Sequence, residues 1–525
     1  MVSISPSLTG FCPITTFYHS RLTDNSRFQS GNDIRRAVIL GMRALPNAFP
    51  MNCTTPHVPT KLSRRRLVPR AWTSFPVIVA SLVLVAPVAA IGPDIIVGDI
   101  AGSNDIIRHG TVGNITSYSF RTTACNIGDR EANWFSTTNQ HPVITQSMYR
   151  LHEGWFQQIG TAWLKHGFAT ENAVLTGCGD CIPTDGQTLG VGCADTYTGL
   201  LNGVQALLGP PSQVNASTGF FPYPFTAPAI QPIIGRRLQV RHRMIDPAFN
   251  EGARYFIEAQ YVAADDAFFG NSDNNASWRR VNVTSGGSGF LLSTAGPTMR
   301  MEPAIFAWKA SDPQVKLSQV VIENDGGPGY RGYLWVGARA TYAGNCMWIY
   351  DYAVQNLNSH QACGRFVVHH PPAAVITGGE SVHPRHHSGE NYLPFSWMQS
   401  VLPDQYVFET YTFQQAPWAN AIWWGTLHNF RVYAQAPPDC SGMVELRLHR
   451  SPDRPSIFVQ TITPGLGDPC PMLDEFGEPI LPSCDQAMAR SRSRLTSPTS
   501  QDQMQPDSDR KMPGAIQGDP DRIKN

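Results

Sequence analysis

Charge is scarce in this sequence. Only 15% of its residues are charged, against about a quarter in ordinary globular chains. The 40 Lys+Arg balance the 40 Asp+Glu to a formal charge of zero, which leaves no electrostatic case for nucleic acid or an anionic membrane as partner. Sustained helical periodicity with caps is also missing, which argues against helical bundles. Standard catalytic signatures are absent: there is no GxSxG elbow, P-loop or dinucleotide fingerprint, and His152-Glu153 runs into Gly-Trp-Phe rather than an HExxH helix. Their absence lowers the case for an enzyme without closing it, since carboxylate pairs and triads are assembled in space.

What the chain has in quantity is Gly (45), Pro (42) and 10% aromatics, the composition of a loop-rich, mainly β protein. Alternation marks the strands. In Met347–Val354, Trp348, Tyr350, Tyr352 and Val354 share a face and Asp351 opposes them. In Tyr255–Val262, Tyr255, Ile257, Ala259 and Tyr261 oppose Glu258 and Gln260. Met443–His449 turns Val444, Leu446 and Leu448 inward and Glu445, Arg447 and His449 outward, and Met148–Gly160 reads as a hairpin turning at His152-Glu153-Gly154. Short strands between Gly/Pro/Asn/Asp turns predict antiparallel β-sandwich domains with long loops and little helix.

Residues 61–90 have the layout of an export signal. Arg64, Arg65, Arg66 and Arg70 precede an apolar run from Phe75 that ends in VAPVAA, so cleavage after Ala90 would leave Ile91 first. The competing reading is a membrane anchor, but the run contains Pro76 and Pro87 and is shorter than the ~20 residues a spanning helix needs. Ser63–Val68 also matches a twin-arginine pattern. The stretch 1–60 is expected to be a disordered extension from a misplaced start, with Met51 the alternative initiator. Beyond the signal the expected order is a Cys-containing β domain over 91–235, a β-sandwich region over 236–485 and a disordered tail over 486–525.

Two of the 11 cysteines precede the cleavage site, leaving nine beyond it, whose default in an oxidising compartment is disulfide bonding. Cys346 and Cys363 flank one strand and its turn and are expected to bridge; Cys470 and Cys484 bracket a Pro-rich segment that a bridge would staple. Cys178, Cys181 and Cys193 offer three thiolates, for which structural disulfides compete with a zinc site completed by His166 or Asp195 and with a redox role for the Cys178-Gly-Asp-Cys181 pair, which no helix follows.

Several blocks, GPDIIVGD from Gly92, TNQHPVITQSMYRL, FQQIGTAWLKHGF, TGFFPYPF, IYDYAVQNLNS, HSGENY and WWGTLHNFRVYAQAPP, resemble an uncharacterised family of secreted bacterial proteins. The resemblance spans most of 92–440 and implies a secreted protein beginning near Ile91. It brings no activity and no site residue.

Three segments carry candidate chemistry. His369, His370, His383, His386 and His387 fall within nineteen residues, and neutral imidazole is a common ligand of zinc and copper. On an extended segment His383 and His387 share a face and His386 opposes them, so a metal site needs a third imidazole, from His369 or His370, with Glu380 or Glu390 as base. The competing reading is a surface loop, given its prolines, glycines and Arg385. Asp265, Asp266, Asn271, Asp273, Asn274 and Asn275 offer hard oxygens to calcium, or serve as turn formers. Trp418, Trp423 and Trp424 either stack on a sugar or pack a core. The function expected is a secreted β-sandwich protein with a binding or structural role at or outside the cell surface, its partner a surface glycan or protein. The alternative is a metal-dependent hydrolase using the His369–His387 cluster. No cofactor is indicated, and no membrane span is expected after signal cleavage.

Overall fold

The computed structural model describes residues 91–467 apart from Ser388. The extension 1–60, the signal 61–90, the Cys470–Cys484 bridge and the tail 486–525 lie outside the described residues.

The alternating segments form the strands they predict, and the fold is mainly β, with 48% of the described residues in strands. In the N-terminal half, β1 (Ile95–Ile100), β4 (Thr122–Asn126) and β10 (Ala194–Tyr197) pair in that order, as do β12 (Leu238–Arg241), β3 (Ile115–Phe120) and β2 (Ile106–Val112). These two sheets face a seven-stranded one, made in order by β11 (Leu208–Gly209), β8 (Leu164–Lys165), β6 (Val143–His152), β13 (Arg254–Val262), β14 (Ala276–Gly286) and β15 (Gly289–Met299), with β7 (Trp155–Thr161) also on β6. The strands β5 (Ala132–Asn133) and β9 (Thr188–Leu189) pair by themselves.

The C-terminal half has two five-stranded sheets. One runs β16 (Lys316–Glu323), β17 (Arg331–Gly344), β18 (Met347–Asn356), β23 (Thr426–Gln435), β20 (Val375–Val382); the other runs β21 (Met398–Leu402), β22 (Gln405–Glu409), β19 (Cys363–His369), β24 (Pro438–Leu448), β25 (Ile457–Pro464). The α-helices among the described residues are α1 (Gly199–Asn202), α2 (His242–Ile245), α3 (Ala264–Phe269) and α4 (Phe306–Ser311). None is long and apolar enough to cross a membrane.

Three cores separate four layers. Ile95, Tyr118, Phe120, Leu238, Ile257 and Tyr261 fill the first, between the small sheets and the seven-stranded sheet. Trp348, Tyr350, Tyr352 and Val354 of β18 meet Phe366, Phe408, Leu446 and Val459 in the C-terminal sandwich. Between the two sandwiches, Tyr149, Phe156, Phe256 and Trp278 pack on Trp308 of α4 and on Ala353 and Leu427 from the far face of the β18 sheet. The seven-stranded sheet is therefore buried on both faces. Glu258 and Gln260, the polar side of the β13 alternation, are thus buried too, and both are hydrogen-bonded. Glu258 accepts from Tyr149 Oη at 2.7 Å, Gln355 Nε2 at 2.8 Å and the Ala304 amide, and Gln260 donates to the Leu357 carbonyl at 2.8 Å. The hairpin turns where expected, with Glu153 and Gly154 at φ 50 and 81, a left-handed pair that glycine eases. The seven-stranded sheet takes strands from both sides of residue 235.

Cys125 of β4 bonds Cys178, and Cys181 bonds Cys193. Both bridges staple a stretch between β8 and β10 that has little regular structure of its own. The three-thiolate zinc set is overturned, because every one of its sulfurs is already in a disulfide. The Cys346–Cys363 bridge is overturned too: Cys346 is disulfide-bonded, but Cys363 is a buried free thiol. The two are separated by the whole of β18, whose ten residues carry the chain about 30 Å.

Candidate functional site

An open cleft of about 1080 Å3 lies between the two sandwiches. Its floor is the outer face of β17, β18 and β23; its wall is the β6–β7 turn, the segment before β13 and the end of α4. Register explains the floor. Arg339 of β17 stands opposite Asp351 of β18, Asp351 opposite Arg431 of β23, and Arg431 opposite Glu380 of β20. Side chains at paired positions project to the same face, so four neighbouring strands present charges of alternating sign in one row. Asp312, just past α4, extends the row by pairing with Arg339. Arg431 donates to Asp351 at 2.6 Å, lies 3.7 Å from Glu380 and stacks 4.3 Å over the Trp155 ring. Tyr433 Oη donates to Glu380 at 2.6 Å.

Electrostatics in the row follow from its depth. Burial raises the Asp351 carboxyl to about 6, against the opposing pull of the Arg431 and Arg339 guanidinium groups. Exposed Glu153, Glu251 and Phe249 line the wall and rim. The sequence signal for this site was slight: Asp351 was visible as the polar residue of its strand, while Arg339, Arg431 and Asp312 come from separate segments that only sheet register aligns.

The five histidines do not form one group. His369 ends β19 with Nε2 3.4 Å from Glu445 and its ring 5.7 Å from Phe458. His370 is buried beside Pro371, its amide bonded to the Asp404 carbonyl. His383, His386 and His387 follow β20 in irregular chain, so the strand alternation expected of them does not apply. His387 Nε2 bonds the Thr161 carbonyl at 2.7 Å, and His386 Nε2 lies 3.4 Å from Asn420 Oδ1. His383 stands with its ring 5.8 Å from His428 of β23, and a proton on either His383 or His386 would hold His428 lower still. The tertiary neighbour of this segment is thus His428, which sequence reading missed because it lies forty-odd positions on in another strand.

Burial lowers His386 and His387 to about 4 and His428 well below the usual imidazole range, so all three are neutral at physiological pH. Beside them a cavity of about 20 Å3, lined by His386, His387, Glu390 and Trp424, has room for roughly one water. Burial raises Glu390 to about 7. Glu380 belongs instead to the charge row. Among the described residues no three His, Cys, Asp or Glu side chains stand in metal-ligating positions.

The Asp/Asn segment is a clamp on β1 and the residues just before it. Asp266 accepts from the Ile95 amide at 2.8 Å and from Asn275 Nδ2 at 2.9 Å. Asn271 donates to the Pro93 carbonyl at 2.7 Å, and Asn274 to Asp94 at 3.0 Å. The sugar-stacking reading of Trp423 and Trp424 is overturned. Residues 418–425 turn rather than extend, which lets both neighbouring indoles point inward, and both are buried. Their Nε1 atoms donate to the carbonyls of Ala419 and Pro211. Trp418 is half-buried beneath Arg450.

No family model matches the chain, and no curated protein matches it. A solved structure from work on the inhibition of an exo-β-D-glucosaminidase by a glucosamine-configured castanospermine and an amino-australine analogue is similar over 69% of this chain and 26% of that one, at 11% identity and a TM-score of 0.15. The chain spans about a quarter of that enzyme's length. A likeness of this size carries no argument.

Proposed function

We propose that this chain is a secreted protein with a binding role at or outside the cell surface, and that its ligand lies in the cleft between the two sandwiches. The observation that carries the reading is the cleft itself, large and open above a floor of fixed, mutually paired charges. Pockets that hold ligands place a few oriented polar groups on a rigid frame, and here sheet register supplies the orientation. Disulfides support an oxidising compartment, and the segment 61–90 supports export.

Two measurements test this. N-terminal sequencing of the exported form is expected to begin at Ile91; a start before Ala89, or retention in the cytoplasm, overturns the export claim. Hydrogen exchange in the presence of the host's surface polysaccharide and protein fractions is expected to protect residues 151–154, 248–254 and 311–313. Protection elsewhere, or none, overturns the cleft.

A metal-dependent hydrolase remains the second reading, favoured by the neutral imidazoles of this segment: His383 lies beside His428, and His386 and His387 line a small cavity with Glu390. Metal analysis of the purified protein decides it. Stoichiometric zinc or copper, lost in His428→Ala, supports it; protein free of both sinks it.

A further inference from the structure

We propose that the cleft takes a glycan that is uncharged or carries free amino groups, lying across the strands along the Asp312–Arg339–Asp351–Arg431 row. The inference rests on the cleft being the ligand site, and it adds the chemistry of the occupant.

The spacing of the row comes first. Neighbouring strands lie about 4.8 Å apart, so the floor offers a change of sign at each strand. A ligand running across it meets the partly exposed edges of Asp312, Arg339 and Arg431, with Asp351 almost wholly buried between the two arginines. Hydroxyl groups suit such a floor because each both donates and accepts. An extended peptide suits it less, since its strand-addition mode needs a free sheet edge, and the floor is the face of the sheet.

Sign decides between glycan classes. Within the cleft the row holds Asp312 and Asp351 against Arg339 and Arg431, a balance of zero. The wall and rim add Glu153, Glu251 and Arg254, a balance of 1 − 2 = −1. A cleft one charge negative disfavours uronate, sulfate and phosphate polymers relative to neutral or ammonium-bearing ones. Both arginines of the row are already engaged, Arg339 by Asp312 and Arg431 by Asp351 and Trp155, so neither stands free to capture an anion. Phe249, 65% exposed on the rim, offers the apolar face against which sugar C–H groups pack.

The test uses the exported full chain and calorimetric titration with three probes: cello-oligosaccharides, glucosamine oligomers and oligogalacturonate. Binding of one of the first two at least tenfold tighter than oligogalacturonate is expected, abolished in Thr341→Trp, which fills the floor. Glu251→Gln, at an exposed position, is expected to weaken glucosamine oligomers severalfold more than cello-oligosaccharides; equal losses overturn the charge argument. Oligogalacturonate bound most tightly, and lost in Thr341→Trp, overturns the glycan class while sparing the cleft. Glycan binding that survives Thr341→Trp overturns the cleft as well. Failure of all three probes to bind overturns the proposed occupant, and the exchange experiment above then decides the cleft alone.

Discussion

Glu258 of β13 and Gln355 of β18 meet between the two sandwiches, Oε2 to Nε2, at 2.8 Å. Each also reaches α4, Glu258 through the Ala304 amide and Gln355 through the Ile305 amide at 2.9 Å. Tyr149 completes the cluster. One buried carboxylate thus joins the two sheets and the helix that together wall and floor the cleft.

Loss of that carboxylate should loosen the junction. Glu258→Ala strands three buried donors, each costing about 1–3 kcal/mol, and is expected to lower unfolding stability by about 3 kcal/mol or more in urea titration. Glu258→Gln keeps an acceptor for Gln355 and the Ala304 amide, and Tyr149 can turn to accept from it. Its cost is expected within about 1 kcal/mol. Equal losses in the two variants would reject a hydrogen-bonded junction.

Trp423 is 1% exposed and stacks on Tyr392 at 4.8 Å. Trp423→Ala is expected to cost about 3–5 kcal/mol, seen as a lowered urea midpoint. Glycan affinity of the fraction that remains folded should be unchanged; loss of affinity without loss of stability would restore the sugar-stacking role.

Peptide mapping of the unreduced protein should recover Cys125 linked to Cys178 and Cys181 linked to Cys193. Cys363 should react with a thiol reagent only after denaturation. Cys125→Ser is expected to cost about 2–5 kcal/mol. Prompt labelling of Cys363 in the native protein would contradict its burial.

The imidazole segment makes two opposite pH predictions. His386 and His387 are held near 4 in the fold, below the ordinary imidazole value. The unfolded chain therefore binds more protons at them between about pH 6.5 and 4, and stability falls as pH drops through that window. His387→Gln keeps a donor for the Thr161 carbonyl and removes one titration, so the acid side of its Tm profile should be flatter. Glu390 is raised to about 7: its contribution is present below about pH 4.5 and lost as pH rises through 7. Glu390→Gln should raise Tm at pH 8 and leave it nearly unchanged at pH 4. The reverse pattern would place Glu390 in an ion pair.

Strand existence was legible because a pleat has a period of two, and Trp348, Tyr350 and Tyr352 write that period directly. The hairpin at Glu153-Gly154 was legible for the same local reason. Partners across a sheet were not. Cys346 and Cys363 looked adjacent because one strand separates them, yet that strand spans the sandwich. Trp423 and Trp424 left sugar stacking and core packing both open, because the turn over residues 418–425 that buries both indoles is not written in their spacing.

Composition and periodicity by themselves determined the β class, the turns and the polar residue in each alternating strand, since these depend on neighbours along the chain. Only the tertiary structure decided that β13 is buried on both faces, that His428 rather than His369 or His370 faces His383, and that Arg339, Asp351, Arg431 and Glu380 align. Those relationships depend on register and layer order, which are set by how whole sheets bury one another and are written in no single segment.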